Sequence, residues 1–437
     1  MLLFVVAGLS LVARLAFLST PQLLIFDEHY YVNAARRIVN LPVPQGVYSD
    51  EPGGLDPNGS HPGLGKLILA ASIETFGDRP FAWRFPSVIF GTAAILAIYW
   101  LSRLTGAGPW AGLGASSLAA LDTLFFLHSR IGTLDIFAVT FMILSVCFYL
   151  KKRPVLSGLM LGLGASAKLV ALFVILVIGL IELFKVAVEA REKTLDLGAK
   201  ARESAGLLLL GGLAITTLLS FTYVYDSNFY GYNNPVRHTI RMLTSVSSGE
   251  SDPSLEALRR DQGEDAGRAE NPAAPRRTHR VRGAPQARPM EWLLNRNTIN
   301  YLTVRSGRGE FTSWTLLGQK TSELMSFKAR MNPVIIFPAI PALLFCAYSA
   351  WRWRDIGQFL PVAWFLGTFG PFLAADLAGV PRAGFIYYMV IVLPGIYLAI
   401  SELFSGKKVA PIYVPALALS AIACFWIYYP YRTWGGV

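Results

Sequence analysis

Residues 154–185 read PVLSGLMLGLGASAKLVALFVILVIGLIELFK, an apolar run whose first charge is Lys168, near its middle. As one α-helix this run would be about 48 Å long, against a bilayer hydrocarbon core of about 30 Å. Two short helices with Lys168 at the turn fit a bilayer better. Further apolar runs lie at 2–19, 81–102, 109–128, 131–150, 206–225, 331–350, 357–377, 384–404 and 409–429. Splitting 154–185 into 154–167 and 169–185 brings the expected spans to about eleven. Charge bias tests the split. With the N-terminus inside, the inner turns hold Arg103; then Lys151, Lys152 and Arg153; then Lys185, Arg191, Lys193, Lys200 and Arg202; then Arg352 and Arg354; and last Lys407 and Lys408. That is the bias expected of cytoplasmic loops. A single span over 154–185 would put the 185–202 cluster outside.

Composition points the same way. Of 437 residues, 53% are hydrophobic and 15% charged, and the mean hydropathy is +0.45. A soluble domain carries roughly 25% charged residues. A soluble globular enzyme and a disordered tail protein are both excluded, and the expectation is an all-α polytopic protein in the cytoplasmic membrane. The net charge of +11 is no nucleic-acid signal here, because Lys and Arg are first sorted by membrane side. Cys147, Cys346 and Cys424 each sit in an apolar run without a Cys-x-x-Cys, so they read as small hydrophobes. Residues 1–19 lack a basic leader and a small-x-small cleavage site, and read as a first span. Arg14, near its outer end, is placed to snorkel toward the headgroups.

Three regions follow: an N-terminal transmembrane module over 1–225 with an outer loop at 20–80, a long outer loop at 226–330, and C-terminal helices over 331–437. From Asn233 to Glu291 there is no Phe, Trp or Tyr, so about 247–289 reads as a flexible segment. Aromatics return at Trp292, Tyr301, Phe311 and Trp314, where order should resume. Arg276, Arg277, Arg280, Arg282 and Arg288 lack interleaved aromatics and read as a solvated linker, not a nucleic-acid patch. Gly158 and Gly162 mark close helix packing.

Several constellations carry chemistry. Asp27 and Glu28 open a stretch in which Tyr30, Tyr31, Ala34, Ala35 and Ile38 recur at helical spacing, with Arg36 and Arg37 elsewhere on the wheel. This reads as an interfacial helix, whose acids either cap it or do chemistry. His61-Pro62-Gly63-Leu64-Gly65-Lys66 reads as the start of a second interfacial helix. It is not a phosphate loop, because Ser60 and Leu67 stand where that loop needs Gly and Ser or Thr. Asp122, Arg130 and Asp135 lie in or beside apolar spans, where charges pair structurally or face a cavity. Lys168 and Arg382 fall at outer helix ends. Asp27, Glu28, His61, Lys66, Arg130, Lys168 and Arg382 therefore map to one face of the membrane. Carboxylates and cations near lipid headgroups suit an enzyme with a lipid-linked phosphate donor.

In sequence order, these motifs resemble those of the protein O-mannosyltransferases. Phe26-Asp27-Glu28 with paired tyrosines is similar to the family's acidic motif. His61 to Lys66 is similar to its His-Pro-Pro-Leu-Gly-Lys signature, with Gly63 in place of the second Pro. Leu121-Asp122 through Ser129-Arg130-Ile131 to Leu134-Asp135, then Gly164 to Lys168, then Arg382 with Phe385, Tyr387 and Tyr388, resemble three more. The match covers roughly 1–225 and 331–430, and the prokaryotic branch is the closer one. There is no room for the lumenal carbohydrate-binding insert of fungal and animal members.

The resemblance implies a GT-C glycosyltransferase fold, an outer active site and a polyprenyl (dolichyl) phosphate sugar as donor. It implies Asp27 as the catalytic carboxylate, with Glu28 beside it. It implies Arg130, Lys168 and Arg382 at the donor phosphate, and support from His61, Lys66, Asp122, Asp135 and Tyr31. The expected reaction moves a hexose, mannose first, to a Ser/Thr hydroxyl of a protein, with inversion. A glycan or lipid acceptor with the same donor, or a transporter of lipid-linked sugars, are the alternatives. No obligatory metal is expected, although Asp27, Glu28 and His61 include ligand types for a divalent cation. Some relatives work as dimers; no motif here marks an interface.

Overall fold

The computed structural model describes residues 1–44, 46–194, 196–231, 234–244, 288–305, 313–314, 320–321, 323–379, 384–405 and 412–431. Arg382 and residues 247–287 of the expected flexible segment lie outside them. In chain order the helices are α1 (Leu2–Leu15), α2 (Glu28–Ile38), α3 (Leu64–Phe76), α4 (Pro80–Leu104), α5 (Pro109–Leu121), α6 (Thr123–His128), α7 (Asp135–Leu150) and α8 (Pro154–Ala167). Then follow α9 (Val174–Glu192), α10 (Leu197–Phe229), α11 (Pro235–Thr244), α12 (Pro289–Trp292), α13 (Pro333–Ile336), α14 (Ala339–Trp353), α15 (Ile356–Leu377), α16 (Met389–Ser405) and α17 (Tyr413–Tyr428). Pro at the first helical position starts α4, α5 and α8, where its missing N–H leaves no bond unmade.

Among the described residues, six helical stretches are long and apolar enough to cross a membrane: Pro80–Leu104, Leu169–Glu192, Leu197–Phe229, Pro333–Trp353, Ile356–Leu377 and Ile386–Ser405. Four more expected spans are shorter apolar helices, Leu2–Leu15, Asp135–Leu150, Pro154–Ala167 and Tyr413–Tyr428. The expected span at 109–128 is broken. Asp122 accepts from the backbone N–H groups of Leu124 and Phe125 at 3.0 and 2.9 Å and so caps α6.

The break at Lys168 is present. Lys168 is extended, and a 3₁₀ turn at Leu169–Phe173 leads into α9. Direction follows from packing. Gly158 of α8 lies against Leu210 of α10, and Gly162 against Ala214 and Thr217. The paired positions rise together, so α8 and α10 pack directly and run parallel, and α9, between them in sequence, returns in the opposite direction. A Cβ at Gly158 would stand 2.6 Å from the Leu210 carbonyl oxygen, which accounts for the small residues there. The C-terminal end of α9 meets that of α14 where basic inner turns are expected, with Arg354 on Glu192 at 2.5 Å.

The most enclosed span is Ile386–Ser405, 83% buried, while Leu197–Phe229 is only 22% buried and forms the outer wall. Among the described residues, two antiparallel strand pairs lie outside the all-α expectation, the shorter joining Ser313–Trp314 to Lys320–Thr321. In the long loop, β1 (Ile299–Arg305) pairs antiparallel with a strand at Glu323–Ala329. Of the aromatics where order is expected, Trp292 is fully buried against Phe369, Phe372 and Tyr388, Tyr301 is buried on β1, and Phe311 lies outside the described residues. Arg14, expected to snorkel, is fully buried instead, with its guanidinium over the Phe126 ring. Arg36 is buried too, paired with Asp78 at 3.0 Å and lying over Trp83. Both arginines turn inward because an aromatic face meets them there.

Candidate active site

α2 begins at Glu28, with Asp27 at its N-cap position, yet the Asp27 side chain makes no cap bond. Among the described residues no hydrogen bond fixes its carboxylate. It is half-buried, close enough to Lys168 and Asp135 for their charges to act on it. Burial pushes its pKa up to about 7; Lys168 pulls the other way and Asp135 adds to the rise.

Beside it, Lys168 Nζ holds Asp135 Oδ1 at 2.7 Å. His128 Nδ1 lies 3.6 Å from Asp135 Oδ2, and His128 Nε2 is hydrogen-bonded to the Tyr301 hydroxyl at 2.8 Å. The Tyr301 ring stacks on Phe26 at 3.9 Å. Tyr387 packs on the edge of Phe26 at 5.5 Å and lies 5.4 Å from Lys168 Nζ. Tyr31, buried on α2, meets His61 edge-on at 5.7 Å. Burial and the neighbouring acids raise the Tyr31 and Tyr301 pKa values, so both hydroxyls stay neutral. The five motif segments, far apart in sequence, thus meet around Asp27. The partly open carboxylate faces one ammonium inside an aromatic wall.

Other expected site residues brace this arrangement. Glu28 is fully buried and is engaged on a different set of partners from Asp27. Its oxygens accept from Arg84 Nε at 2.9 Å and Nη2 at 3.0 Å, and from the backbone N–H groups of Ile25 at 2.7 Å and Gly132 at 2.8 Å. Arg84 also donates to the carbonyls of Leu18, Pro21 and Leu23, so the pair fixes the loop leading into Asp27. Lys66 is fully buried in an ion pair with Asp56, and donates to the carbonyls of Asn58 at 2.5 Å and His61 at 2.9 Å. It shapes the loop that carries His61. Asp122 is the α6 cap and accepts from the Asn332 N–H at 3.2 Å. Arg130 touches neither Asp122 nor Asp135 in an ion pair. It donates to the Ala16 carbonyl and the Tyr431 hydroxyl, both at 2.9 Å. Among the described residues no three His, Cys, Asp or Glu side chains come together as metal ligands, and both Glu28 oxygens are engaged by Arg84 and backbone.

Several contributors went unread in the sequence. Arg84 offered a signal, a lone Arg at the head of an apolar run. Asp56 offered little, in a loop of Gly, Pro and Asp. Tyr225 donates to Asp56 at 2.8 Å, and its ring lies where a Cβ on Gly63 would come within 2.3 Å of it. That explains Gly63 where the family signature has Pro. His238 of α11 donates from Nδ1 to Asp226 at 2.8 Å and from Nε2 to the Gly59 carbonyl at 3.0 Å. Both ring nitrogens face acceptors, an arrangement that favours the charged ring. Burial lowers its pKa, and the bonds to Asp226 more than offset this.

The chain is similar to known proteins both in sequence and in fold. Residues 60–201 match the family described as dolichyl-phosphate-mannose-protein mannosyltransferase. The chain is 35% identical over 147 residues to the polyprenol-phosphate-mannose–protein mannosyltransferase of Corynebacterium glutamicum, 32% of this chain and 27% of that protein. It is 29% identical over 143 residues to the protein of that name in Mycolicibacterium smegmatis, 32% of this chain and 26% of that one. The match thus spans about a quarter of the length of these relatives. In three dimensions the chain is similar to the S. cerevisiae protein O-mannosyltransferase Pmt1-Pmt2 complex bound to the sugar donor. The TM-score is 0.67 at 12% identity, covering 98% of this chain and 90% of that one. It is also similar to the Archaeoglobus fulgidus oligosaccharyltransferase in the apo form, with a TM-score of 0.56 at 15% identity over 100% of this chain and 56% of that one. ArnT from Cupriavidus metallidurans, bound to undecaprenyl phosphate, gives 0.53 at 14% identity over 95% and 61%. The fold is that of the GT-C membrane glycosyltransferases.

Proposed function

We propose that this chain is a membrane glycosyltransferase that moves a hexose, mannose first, from a polyprenyl phosphate to a Ser/Thr hydroxyl of a protein. The observation that carries the reading is the Asp27 carboxylate, uncapped and half-buried beside the Lys168–Asp135 pair. Ionised, Asp27 takes the proton of the acceptor hydroxyl as that oxygen attacks the anomeric carbon. The bond from that carbon to the phosphate oxygen breaks on the opposite face, so the configuration inverts. The polyprenyl phosphate leaves without a protonating acid, its charge met by Lys168. Arg382 is a further cation for it. Arg130 reaches the phosphate only by releasing Ala16 and Tyr431. Tyr301 and Tyr387 give the sugar apolar faces. In this reading the protein sits in the cytoplasmic membrane, with the N-terminus inside and Asp27 on the outer side.

The test incubates purified wild type and Asp27→Asn with radiolabelled polyprenyl-phosphate mannose and a Ser/Thr-rich peptide. Label on the peptide with wild type alone is the expected result. Donor cleavage without labelled peptide redirects the acceptor to a glycan or lipid. No donor turnover in either protein overturns the mannose-donor reading; lipid-linked sugar transport retained by both proteins would favour a transporter.

A further inference from the structure

α11 has three distinct sides. His238 and Met242, one turn apart, are buried against the body of the protein. Val236, Ile240 and Leu243, at i, i+4 and i+7, form a separate stripe that is 50, 55 and 54% exposed. Arg237 lies exposed between these sides, and half-buried Arg241 follows one turn on. A helix that only covers a core leaves its outer side polar. An outer side apolar along its length, with cations flanking it, fits the boundary between acyl chains and lipid phosphates. That boundary is continuous with the neighbouring wall: α10 exposes Ile215, Tyr223 and Val224 and ends at Phe229, shortly before α11 begins at Pro235.

We propose that α11 is seated in the outer-leaflet headgroup boundary, with Val236, Ile240 and Leu243 toward the acyl chains and Arg237 toward lipid phosphates, and that His238 transmits this seating to the loop carrying His61. The link is short. His238 bridges Asp226, at the end of α10, to the Gly59 carbonyl, two residues before His61. The same loop is held on its other side by Lys66 through the carbonyls of Asn58 and His61. A lipid-seated helix would thus set the height of one wall of the site relative to the bilayer that delivers the donor. The outer side and the meaning of the loop rest on the proposed function; the seating does not.

The experiment uses the full chain in nanodiscs of phosphatidylcholine and phosphatidylglycerol. A polarity-sensitive fluorophore is placed at Ile240→Cys or, as the water-facing control, at the exposed Asn300 by Asn300→Cys, each in a Cys424→Ala background. Doxyl-labelled lipid should quench the Ile240 probe at least twofold more than the control, and aqueous iodide should do the reverse. Equal quenching at both sites overturns the seating. The link is read by hydrogen exchange in His238→Gln, where the amides of residues 56–61 should exchange on the order of tenfold faster, with α3 unchanged as the test of folding. Unchanged exchange at 56–61 overturns the link. Loss of protection in α3 as well marks global loosening, and the link is then read in His238→Lys, which keeps one donor and the charge and should loosen 56–61 alone. Neither measurement reads sugar transfer, so their failure is distinct from failure of the proposed reaction.

Discussion

Asp27 and Glu28 are adjacent in sequence, yet they belong to different regions of the molecule. Glu28 faces a saturated region, where Arg84 and two backbone N–H groups meet both its oxygens and water is excluded. Asp27 faces an open one, where no described residue bonds its carboxylate and burial keeps its pKa near 7. A buried charge with every partner in place holds structure and has nothing left for a substrate. A carboxylate poised near neutrality is able to exchange a proton. The same contrast divides the lysines. Lys66 is enclosed by Asp56 and two carbonyls, whereas Lys168 shares one carboxylate and lies over the Tyr387 ring.

The sharpest way to break this comparison is Asp27→Asn. In the proposed reaction Asp27 is the general base, so its removal should lower transfer by about 10²–10⁴-fold, measured with labelled donor, without loss of folding. The stability sign runs opposite to that of most charge deletions. The folded-state pKa, about 7, lies above the ordinary 3.8. Between these values the folded protein holds the extra proton, so Asp27 destabilises the fold progressively as pH rises through that window. Asp27→Asn should therefore melt higher than wild type at pH 8, with the gap closing toward pH 4. A variant that melts lower at pH 8 would place Asp27 among the structural acids. In the wild type, kcat/KM should fall as pH drops below about 7, because the protonated carboxyl cannot accept the acceptor's proton.

Glu28→Gln should do the reverse. It leaves Arg84 buried opposite a neutral amide, a change on the order of 3–5 kcal/mol, read as a lowered melting temperature in detergent. Transfer per folded molecule should fall far less than in Asp27→Asn. Equal losses in both variants would merge the two regions into one catalytic unit.

How legible this was depends on the range of the signal. The break at Lys168 came from length against bilayer thickness plus charge bias, both of which act along the chain. The helices starting at Glu28 and Leu64 came from local periodicity and a proline. What stayed hidden was pairing across the fold. Arg84 meets Glu28 and Asp56 meets Lys66 only after α2, α3 and α4 pack, and nothing in the spacing distinguishes a saturated acid from an open one. Tyr301 enters from a strand in a loop that offered only returning aromatics. Motif order named Asp27, His61, Asp135, Lys168 and Tyr387 together, and the structure brings these residues near one another, but motif order could not separate Arg130, which bonds the Ala16 carbonyl and the Tyr431 hydroxyl, from Lys168 beside Asp27.

Lys168→Met sharpens the electrostatic side of the comparison. Lys168 holds the Asp27 pKa down against burial, so its removal should shift the acidic limb of kcat/KM to higher pH. A shift of one unit, from about 7 to about 8, lowers the ionised fraction at pH 7, and with it the activity, roughly fivefold, approaching tenfold only at lower pH. Loss of activity with the limb unmoved would confine Lys168 to the phosphate.

The smallest expected effect lies at the edge of the saturated region. A Cβ on Gly63 would stand 2.3 Å from the Tyr225 ring, and Tyr225 cannot swing away without breaking its bond to Asp56, the partner of Lys66. Gly63→Ala should therefore cost about 1–3 kcal/mol by overpacking, seen as a lower melting temperature. Gly63→Ala with Tyr225→Ala should recover part of it by opening the space, less the contribution of the lost hydrogen bond, about 1 kcal/mol. Catalysis at Asp27 should survive Gly63→Ala at temperatures where the protein stays folded, because the strain falls on the Lys66 side of the His61 loop and not on the Lys168 side.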